Sequence, residues 1–315
     1  MLALLLFGAL ALLAVSLALA PLEALGWWAG WFGNDHELEA AADALRERQG
    51  VGGAAARHYV VFLSGVGSPR SGEVPEEERP FIAHLRAHLP DTVVVDGVLP
   101  YSVLGLSLDH PARPLGRLWH HAIGRGGFWQ QLINTRNLFQ VLVSADRRYG
   151  PVISFGLAKQ ILIALVRHGY VIDSGVPITL VGSSGGGQMG LGTGPFLAQA
   201  LHVPVRMVSL GGVMSGDPAI LSFRHFDHLY GTKDPVATML PQMIFPSRWP
   251  INHRSPWWEA RQRGIYRERA IGPIAHTGPG GYYDGKSRLP DGTDHCTHSA
   301  NEVIACIRSW ESEGI

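Results

Sequence analysis

The stretch ITLVGSSGGG, residues 178–187, decides the fold prediction for this chain. Its first four residues are apolar or β-branched and predict a buried strand. Gly182, Ser184 and Gly186 follow at once in the pattern G-x-S-x-G. Small residues two before and two after a serine allow a strand to turn sharply into a helix with closely packed backbones. The stretch therefore predicts a strand, a tight turn that exposes the Ser184 hydroxyl, and a helix.

The sequence on either side alternates short apolar strands with helical stretches. Further strands are predicted at 59–63, 92–95, 205–210, 226–230 and 270–275, and helices at 81–88, at 157–166 and near the C-terminus, whereas residues 100–150 indicate loops and short helices. This alternation predicts an α/β fold whose mostly parallel central sheet is flanked by helices. Ligands bind such sheets at the carboxyl ends of the strands.

Composition excludes some classes of function. The 315 residues include 26 basic and 26 acidic side chains, which gives no net charge and argues against a nucleic-acid partner. Apolar residues make up 46% of the chain, enough for a large core. Cys296 and Cys306 stand ten residues apart, too far for a disulfide if a helix joins them, so we expect two reduced thiols.

The N-terminus has the strongest compositional bias. Residues 1–22 carry no charged side chain and are long enough to cross a hydrocarbon core as a helix. The aromatic residues at 27–32 suit a membrane interface. We therefore expect residues 1–33 to form a hydrophobic membrane anchor, with a charged linker helix at 34–57 and the main domain at 58–315. The alternative is a cleaved signal peptide, which would make the protein secreted, although its first region lacks Lys and Arg and Pro21 would follow the cut.

A serine nucleophile needs a base, and the base needs an orienting acid. Asp234 follows the strand at 226–230, and His276 follows the strand predicted at 270–275. Both would emerge at the same edge of the sheet as Ser184, in the chain order serine, acid, histidine. The sequence therefore predicts a triad of Ser184, His276 and Asp234.

Other assignments stay open at this stage. His295 could replace His276 as the base, and Asp217 or Asp227 could replace Asp234. The run Asp-His-Cys-Thr-His at 294–298 is a poor metal site and is more typical of a polar helix cap. Residues 185–190 also match G-x-G-x-x-G, but no carboxylate ends the next strand, so a dinucleotide site is disfavoured. The glycines after Ser184 should each cost a helix about 1 kcal/mol.

With these motifs in place, residues 58–312 resemble the α/β-hydrolase superfamily, of the lipase or esterase kind. The resemblance implies a sheet of about eight strands and a triad of Ser184, His276 and Asp234, with no metal or organic cofactor. It also implies an oxyanion hole made by the backbone N–H of Gly185 and by the loop at Gly65 and Val66. Many members have His-Gly in that loop, whereas this chain has Ser64-Gly65.

The resemblance implies hydrolysis of an ester or related acyl bond through an acyl-enzyme intermediate. A membrane anchor would favour an amphiphilic or lipid-like substrate. The alternatives are a non-catalytic binding module at a membrane and an acyltransferase that uses the same triad. Residues 235–265, with Trp249, Trp257 and Trp258, could form a lid or acyl-binding wall, or an ordinary packed loop.

Overall fold

The computed structural model describes residues 56–113 and 115–312, with four isolated residues (8, 11, 14 and 15) near the N-terminus. Apart from these four residues, the hydrophobic helix predicted within residues 1–33 lies outside the described residues, as does nearly all of the linker at 34–57. Both domain assignments, and the membrane location that depends on them, therefore stay predictions.

A parallel sheet lies at the centre of the described chain, as the sequence predicts. Its six strands are β1 (His58–Leu63), β2 (Thr92–Val98), β3 (Ile178–Ser183), β4 (Val205–Leu210), β5 (Phe226–Tyr230) and β6 (Tyr266–Ala270). Their spatial order is β2-β1-β3-β4-β5-β6, and every neighbouring pair is parallel. The described residues thus form six of the roughly eight strands expected.

Helices connect the strands and cover both faces of the sheet. They are α1 (Arg79–His88), α2 (Gly116–Ala122), α3 (Gly127–Ser144), α4 (Gly150–Arg167), α5 (Gly185–Leu201), α6 (Pro235–Thr238), α7 (Leu240–Ile244), α8 (Pro256–Gln262) and α9 (His295–Ser312), with 3₁₀ turns at Pro218–Ser222 and Pro246–Arg248. The α/β class is therefore confirmed.

Alternate residues of each central strand enter different cores. On β1, Tyr59, Val61 and Leu63 pack in a core that includes residues of α3, α4, α5 and α8. Val60 and Phe62 pack on the opposite face, in a core that includes residues of α1 and α9. Every residue of β1, β3 and β4 is buried. Burial on both faces explains why residues 59–63 of β1 appear in the sequence as a continuous apolar run.

Helix α4 is apolar as well as long. Among the described residues it is the one helix whose length and mean hydropathy, 1.4 over 18 residues, would allow it to span a membrane. More than half of it is buried inside the protein, because Leu157, Ile161 and Leu165 pack in the core beside the sheet. These contacts are those of the core helix of a globular domain.

Two predictions of secondary structure are wrong. The strand expected at 270–275 lies at Tyr266–Ala270 instead, and residues 271–275 form a loop whose Ile271 and Ile274 are buried. The segment 100–150 contains α3, a helix of 18 residues, where only loops and short helices are expected. In α3 the buried face includes Arg136, Asn137 and Gln140, so the apolar periodicity that marks a helix is lost.

The glycines that follow Ser184 lie inside α5 and are required by packing. A Cβ atom at Gly190 would lie 2.9 Å from the Met207 side chain. One at Gly192 would collide with Ser154 on α4, and one at Gly194 with the Phe223 ring. The close approach of α5 to the sheet and to α4 therefore compensates for the low helix propensity of these residues.

Candidate active site

Ser184 stands in a strained turn between β3 and α5. Its φ of 49° and ψ of −119° lie in a region that residues with a Cβ rarely adopt. A Cβ at Gly182 would lie 2.7 Å from the Gly186 carbonyl oxygen, and one at Gly186 would collide with the carbonyl of Leu63. The Ser184 N–H donates to the Leu210 carbonyl at 3.1 Å. The predicted strand, tight turn and helix are confirmed, and both glycines of the pentapeptide are sterically required.

The turn after β3 and the loops after β5 and β6 bring Ser184, Asp234 and His276 together. The Ser184 Oγ lies 2.9 Å from His276 Nε2, and His276 Nδ1 lies 2.8 Å from Asp234 Oδ2. Asp234 is four residues beyond the end of β5, and His276 is six residues beyond the end of β6. Hydrogen bonds continue from hydroxyl to imidazole to carboxylate, as the sequence predicts for these three residues.

The Asp234 carboxylate is buried and strongly hydrogen-bonded. Burial alone would raise the pKa of Asp234, but hydrogen bonds from His276, Tyr282 and the Ala237 N–H outweigh it and lower the pKa below its usual value. An ionised carboxylate can only accept, so His276 Nδ1 carries the proton toward it. His276 Nε2 is then the acceptor for the Ser184 hydroxyl, which is the tautomer that a general base requires.

Tyr282 is a member of the site that the sequence prediction missed. Its hydroxyl donates to Asp234 Oδ2 at 2.6 Å and accepts the Gly231 N–H at 2.9 Å. Burial, together with the neighbouring carboxylate, raises the pKa of Tyr282 well above its ordinary value, so the phenol stays neutral and continues to donate. Tyr282 therefore holds Asp234 in place. The Gly-Gly-Tyr-Tyr run at 280–283 was visible in the sequence, but nothing in it indicated this contact.

The rival residues have other structural roles. His295 Nδ1 lies 2.9 Å from the Gly280 carbonyl oxygen, at the start of α9. Asp217 accepts the Ala219 N–H at 2.8 Å and caps a 3₁₀ turn. Asp227 lies within β5, 3.8 Å from Arg267. The structure therefore supports His276 and Asp234 over these alternatives.

The run at 294–298 begins a helix, as expected of a polar cap. The Asp294 carboxylate accepts the Thr297 N–H at 2.9 Å, and α9 starts at His295. No group of His, Cys, Asp and Glu side chains suited to a metal ion occurs in residues 56–113 and 115–312. Cys296 and Cys306 are both buried and unpaired with each other, as predicted for reduced thiols.

The predicted oxyanion donors lie beside Ser184. Gly185 is the first residue of α5, so its N–H has no partner within the helix. A Cβ at Gly185 would lie 2.7 Å from Val66, and one at Gly65 would lie 3.6 Å from the Ser184 Cβ. The Gly65 N–H, however, donates to Glu78 Oε1 at 3.2 Å. Of the two loop residues predicted as donors, Val66 is therefore the one whose N–H is uncommitted among the described residues.

Glu78 is a buried acid next to this loop. Glu78 is the residue immediately before α1. Burial raises the pKa of its carboxyl group from 4.5 to about 7, although hydrogen bonds from the Ser64 hydroxyl and the Gly65 N–H act to lower that pKa. At pH values between these two pKa values, Glu78 is more often protonated in the folded protein than in the unfolded chain. Ionisation of Glu78 should therefore destabilise the fold as pH rises from about 4.5 to 7.

Replacing Glu78 by Gln should remove this pH dependence. We expect the free energy of unfolding of Glu78→Gln, relative to wild type, to increase by about 2–3 kcal/mol between pH 5 and pH 8. Denaturant titrations at the two pH values measure this difference. Glu76→Gln, at an exposed position nearby, is the matched control and should change by less than about 0.5 kcal/mol. A pH-independent difference for Glu78→Gln would contradict the assignment of a raised pKa.

No protein-family model matches the chain, and no curated protein matches it at a significant level. The geometry of the site therefore carries the inference of function.

Proposed function

We propose that the protein is a serine hydrolase of the α/β-hydrolase type. The observation that carries this proposal is the continuous chain of hydrogen bonds from Ser184 through His276 to Asp234. The parallel sheet, the strained turn at Ser184 and the chain order serine, acid, histidine are all typical of that superfamily. The fuller sheet of about eight strands belongs to the same proposal, with six strands in the described residues.

More specifically, we propose that it cleaves an ester or related acyl bond. The Ser184 Oγ attacks the acyl carbon while its proton passes to His276 Nε2, and the carbonyl π electrons move onto the oxygen. The N–H groups of Gly185 and Val66 stabilise this oxyanion. As the tetrahedral intermediate collapses, the bond to the leaving group breaks and His276 returns the proton to the departing oxygen.

The second half of the reaction regenerates the serine. A water molecule gives a proton to His276 Nε2 and attacks the acyl-enzyme carbonyl, and the bond between that carbon and Ser184 Oγ then breaks. The Ser184 oxygen recovers the proton from His276, and the carboxylic acid leaves. Asp234 orients the imidazole throughout and stabilises its charged form. These steps need no metal or organic cofactor.

An initial burst of product would test the acyl-enzyme directly. With a short p-nitrophenyl ester in rapid mixing, we expect p-nitrophenol to be released in an amount close to one equivalent of enzyme, followed by slower turnover. The burst requires deacylation to be slower than acylation, which holds for activated esters of this kind. Absence of any ester hydrolysis over acyl chains of two to twelve carbons would contradict the proposed function.

The surface beside the site supports an amphiphilic substrate. Directly after Asp234, the segment that includes α6 and α7 exposes a group of large apolar side chains, at Met239, Met243, Ile244, Trp249 and Ile251. Met243 is 70% exposed and Ile251 is 79% exposed. Between Asp234 and Glu259 the sequence has no acidic residue, and its exposed charged side chain is Arg254. An apolar surface with a basic residue suits contact with lipid or detergent aggregates.

The three tryptophans of this segment have different environments. Trp257 is buried and stacks against the Arg248 guanidinium at 3.7 Å, so it belongs to the core. Trp249 is exposed, and its indole N–H donates to the Gln242 carbonyl of α7. Trp258 is partly exposed and donates to the Trp249 carbonyl. Part of the segment is thus ordinary packing, and we assign the proposed substrate contact to the apolar group at 239–251.

A charge placed on this surface should separate aggregated from soluble substrates. We expect Ile251→Glu to lower the rate on esters in mixed micelles by at least about 5-fold, because a carboxylate resists transfer into an apolar interface. The rate on a soluble acetate ester should stay within about 2-fold of wild type. Val171→Glu is the matched control, since Val171 is an exposed apolar residue before β3, at the opposite end of the sheet from Ser184. Equal micellar rates for Ile251→Glu and Val171→Glu would contradict the role of the apolar surface.

Attachment to a membrane through residues 1–33 remains part of the proposal. Its support is the uncharged stretch at 1–22, long enough to span a bilayer, followed by the tryptophans at 27–31. Such an anchor would keep the site close to amphiphilic esters.

A further inference from the structure

The loop that joins β1 to α1 is held by its carbonyl groups. The Tyr101 hydroxyl donates to the Ser64 carbonyl at 2.9 Å. The side-chain amide of Asn137 donates to the carbonyls of Val66 and Ser68, at 2.7 and 3.0 Å. Gln130 donates to the Gly67 carbonyl at 3.1 Å. These anchors come from the segment after β2 and from α3, so two separate elements fix the path of the loop.

Glu78 holds the same loop through an N–H group. Its Oε1 accepts the Gly65 N–H at 3.2 Å, whereas the Val66 N–H donates to no group in the described residues. Glu78 is 3% exposed, although Glu76 and Glu77 beside it are exposed. A buried carboxyl group is costly unless its hydrogen bonds compensate. Because burying this carboxyl group costs free energy, its contact with the Gly65 N–H indicates a specific role for Glu78 at the loop.

The backbone of Glu78 is itself firmly placed. Its carbonyl accepts the Ile82 N–H at 3.1 Å, in the first turn of α1, and its N–H donates to Pro75. Phe81, Ile82 and Leu85 follow Glu78 by three, four and seven residues, so they lie on the same side of α1, and all three are buried in the core. The titratable groups that face the Glu78 carboxyl are Glu77 on its own segment, Tyr101 after β2 and Tyr283 before α9. The helix therefore presents the carboxyl group to the loop from a rigid support.

We propose that Glu78 is a positioning residue for the oxyanion hole: by accepting the Gly65 N–H, it fixes the loop so that the Val66 N–H stabilises the oxyanion together with the Gly185 N–H. This inference rests on the proposed function and specifies how one of its parts is built. Preorganised donors act where charge develops in the transition state, so a loop that shifts should lower kcat more than it raises KM.

Two substitutions separate hydrogen-bond acceptance from side-chain volume. Glu78→Gln keeps an oxygen that can accept the Gly65 N–H. Glu78→Met has a similar length and no strong acceptor, so it leaves the Gly65 N–H without a partner. For Glu78→Met we expect kcat on a short ester to fall by about 10–100-fold, with KM within about 3-fold of wild type. Glu78→Gln and the exposed control Glu76→Gln should both stay within about 3-fold of wild type in kcat.

The rate of reaction with a fluorophosphonate should follow kcat, because the phosphonylated serine also places an oxygen in the oxyanion hole. Wild-type kcat in Glu78→Met would overturn the inference, as would a loss in Glu78→Gln equal to that in Glu78→Met. A rise in KM with unchanged kcat would also overturn it. A wild-type protein that neither reacts with the probe nor hydrolyses esters would instead contradict the proposed function.

A spectroscopic measurement covers the case in which Glu78→Met does not fold. In wild type, the Gly65 amide proton resonance should move with pH as Glu78 ionises through its pKa of about 7. In Glu78→Gln the same resonance should stay fixed over that range. A Gly65 resonance that does not respond in wild type, or responds equally in Glu78→Gln, would show that the contact does not form and would overturn the inference.

Discussion

Ser184→Ala is expected to lower kcat for ester hydrolysis by about 10⁴-fold or more while leaving the protein folded. The hydroxyl oxygen forms the covalent bond in the proposed mechanism, and removal of such a nucleophile abolishes nearly all of the catalysis that depends on the triad. Alanine keeps the Cβ atom, so the strained backbone at φ 49° is unchanged. The free energy of unfolding should therefore change by less than about 1 kcal/mol.

Steady-state kinetics and a denaturant titration on the same preparation test both parts of this prediction. Ser183→Ala is the matched control, because Ser183 is the adjacent buried serine at the end of β3 and does not contact His276. Its kcat should stay within about 10-fold of wild type. Turnover by Ser184→Ala near the wild-type rate would refute the assignment of the nucleophile.

His276→Ala is expected to have the second largest effect, a loss of kcat of about 10⁴-fold. The imidazole accepts the serine proton and later protonates the leaving group, so both halves of the reaction lose their acid–base group. His276 is partly accessible and its contacts are within the site, with Ser184 and Asp234, so the fold should tolerate the change.

His295→Ala is the informative comparison, because His295 was the rival base in the sequence. In the structure it is buried and contacts the Gly280 carbonyl. We expect it to lose about 1–2 kcal/mol of stability from the lost contact and cavity, with kcat within about 10-fold of wild type. Activity that survives in His276→Ala and disappears in a folded His295→Ala would reverse the assignment.

The buried strands could be predicted because burial on both faces leaves a simple signal. The bounds of β4 and β5 in the structure are those expected from the sequence, and each strand is followed by a glycine, Gly211 or Gly231. The edge strand β6 has no such pattern. Four of its five residues, 267–270, are exposed, and three of these are charged. The apolar residues after it, Ile271 and Ile274, are buried in a loop, so hydrophobicity pointed to the wrong segment.

The sequence did not predict helix α3 because the buried face of this helix carries polar side chains that hydrogen-bond to backbone carbonyl groups. Asn137 and Gln130 hold the carbonyl groups of the loop after β1, and Arg136 donates to the Tyr101 carbonyl at 2.7 Å. Apolar periodicity detects helices that pack against a hydrophobic core, and it fails where a helix packs against backbone groups. The helix could be assigned only once the loop was placed beside it.

Ser184 and Asp234 could be inferred from the sequence because each follows a correctly predicted strand, whereas His276 was inferred from a strand expected at 270–275 that is a loop in the structure. Parallel strands bring their carboxyl ends to one edge, so order along the chain predicted proximity for Ser184, Asp234 and His276. Tyr282 and Glu78 carried no such signal. Glu78 belongs to a run of three glutamates, normally a solvated surface, and only the tertiary structure shows that one of them is buried.

The most direct measurement is the identification of the residue modified by a fluorophosphonate, by peptide mass spectrometry of the full-length protein. The probe phosphonylates a serine only when a base and an oxyanion hole activate it. We expect one adduct per chain on Ser184, with no adduct in Ser184→Ala and greatly slowed labelling in His276→Ala. A folded wild-type protein that acquires no adduct at Ser184, or acquires it equally fast without His276, would contradict the proposal that these residues form a catalytic site.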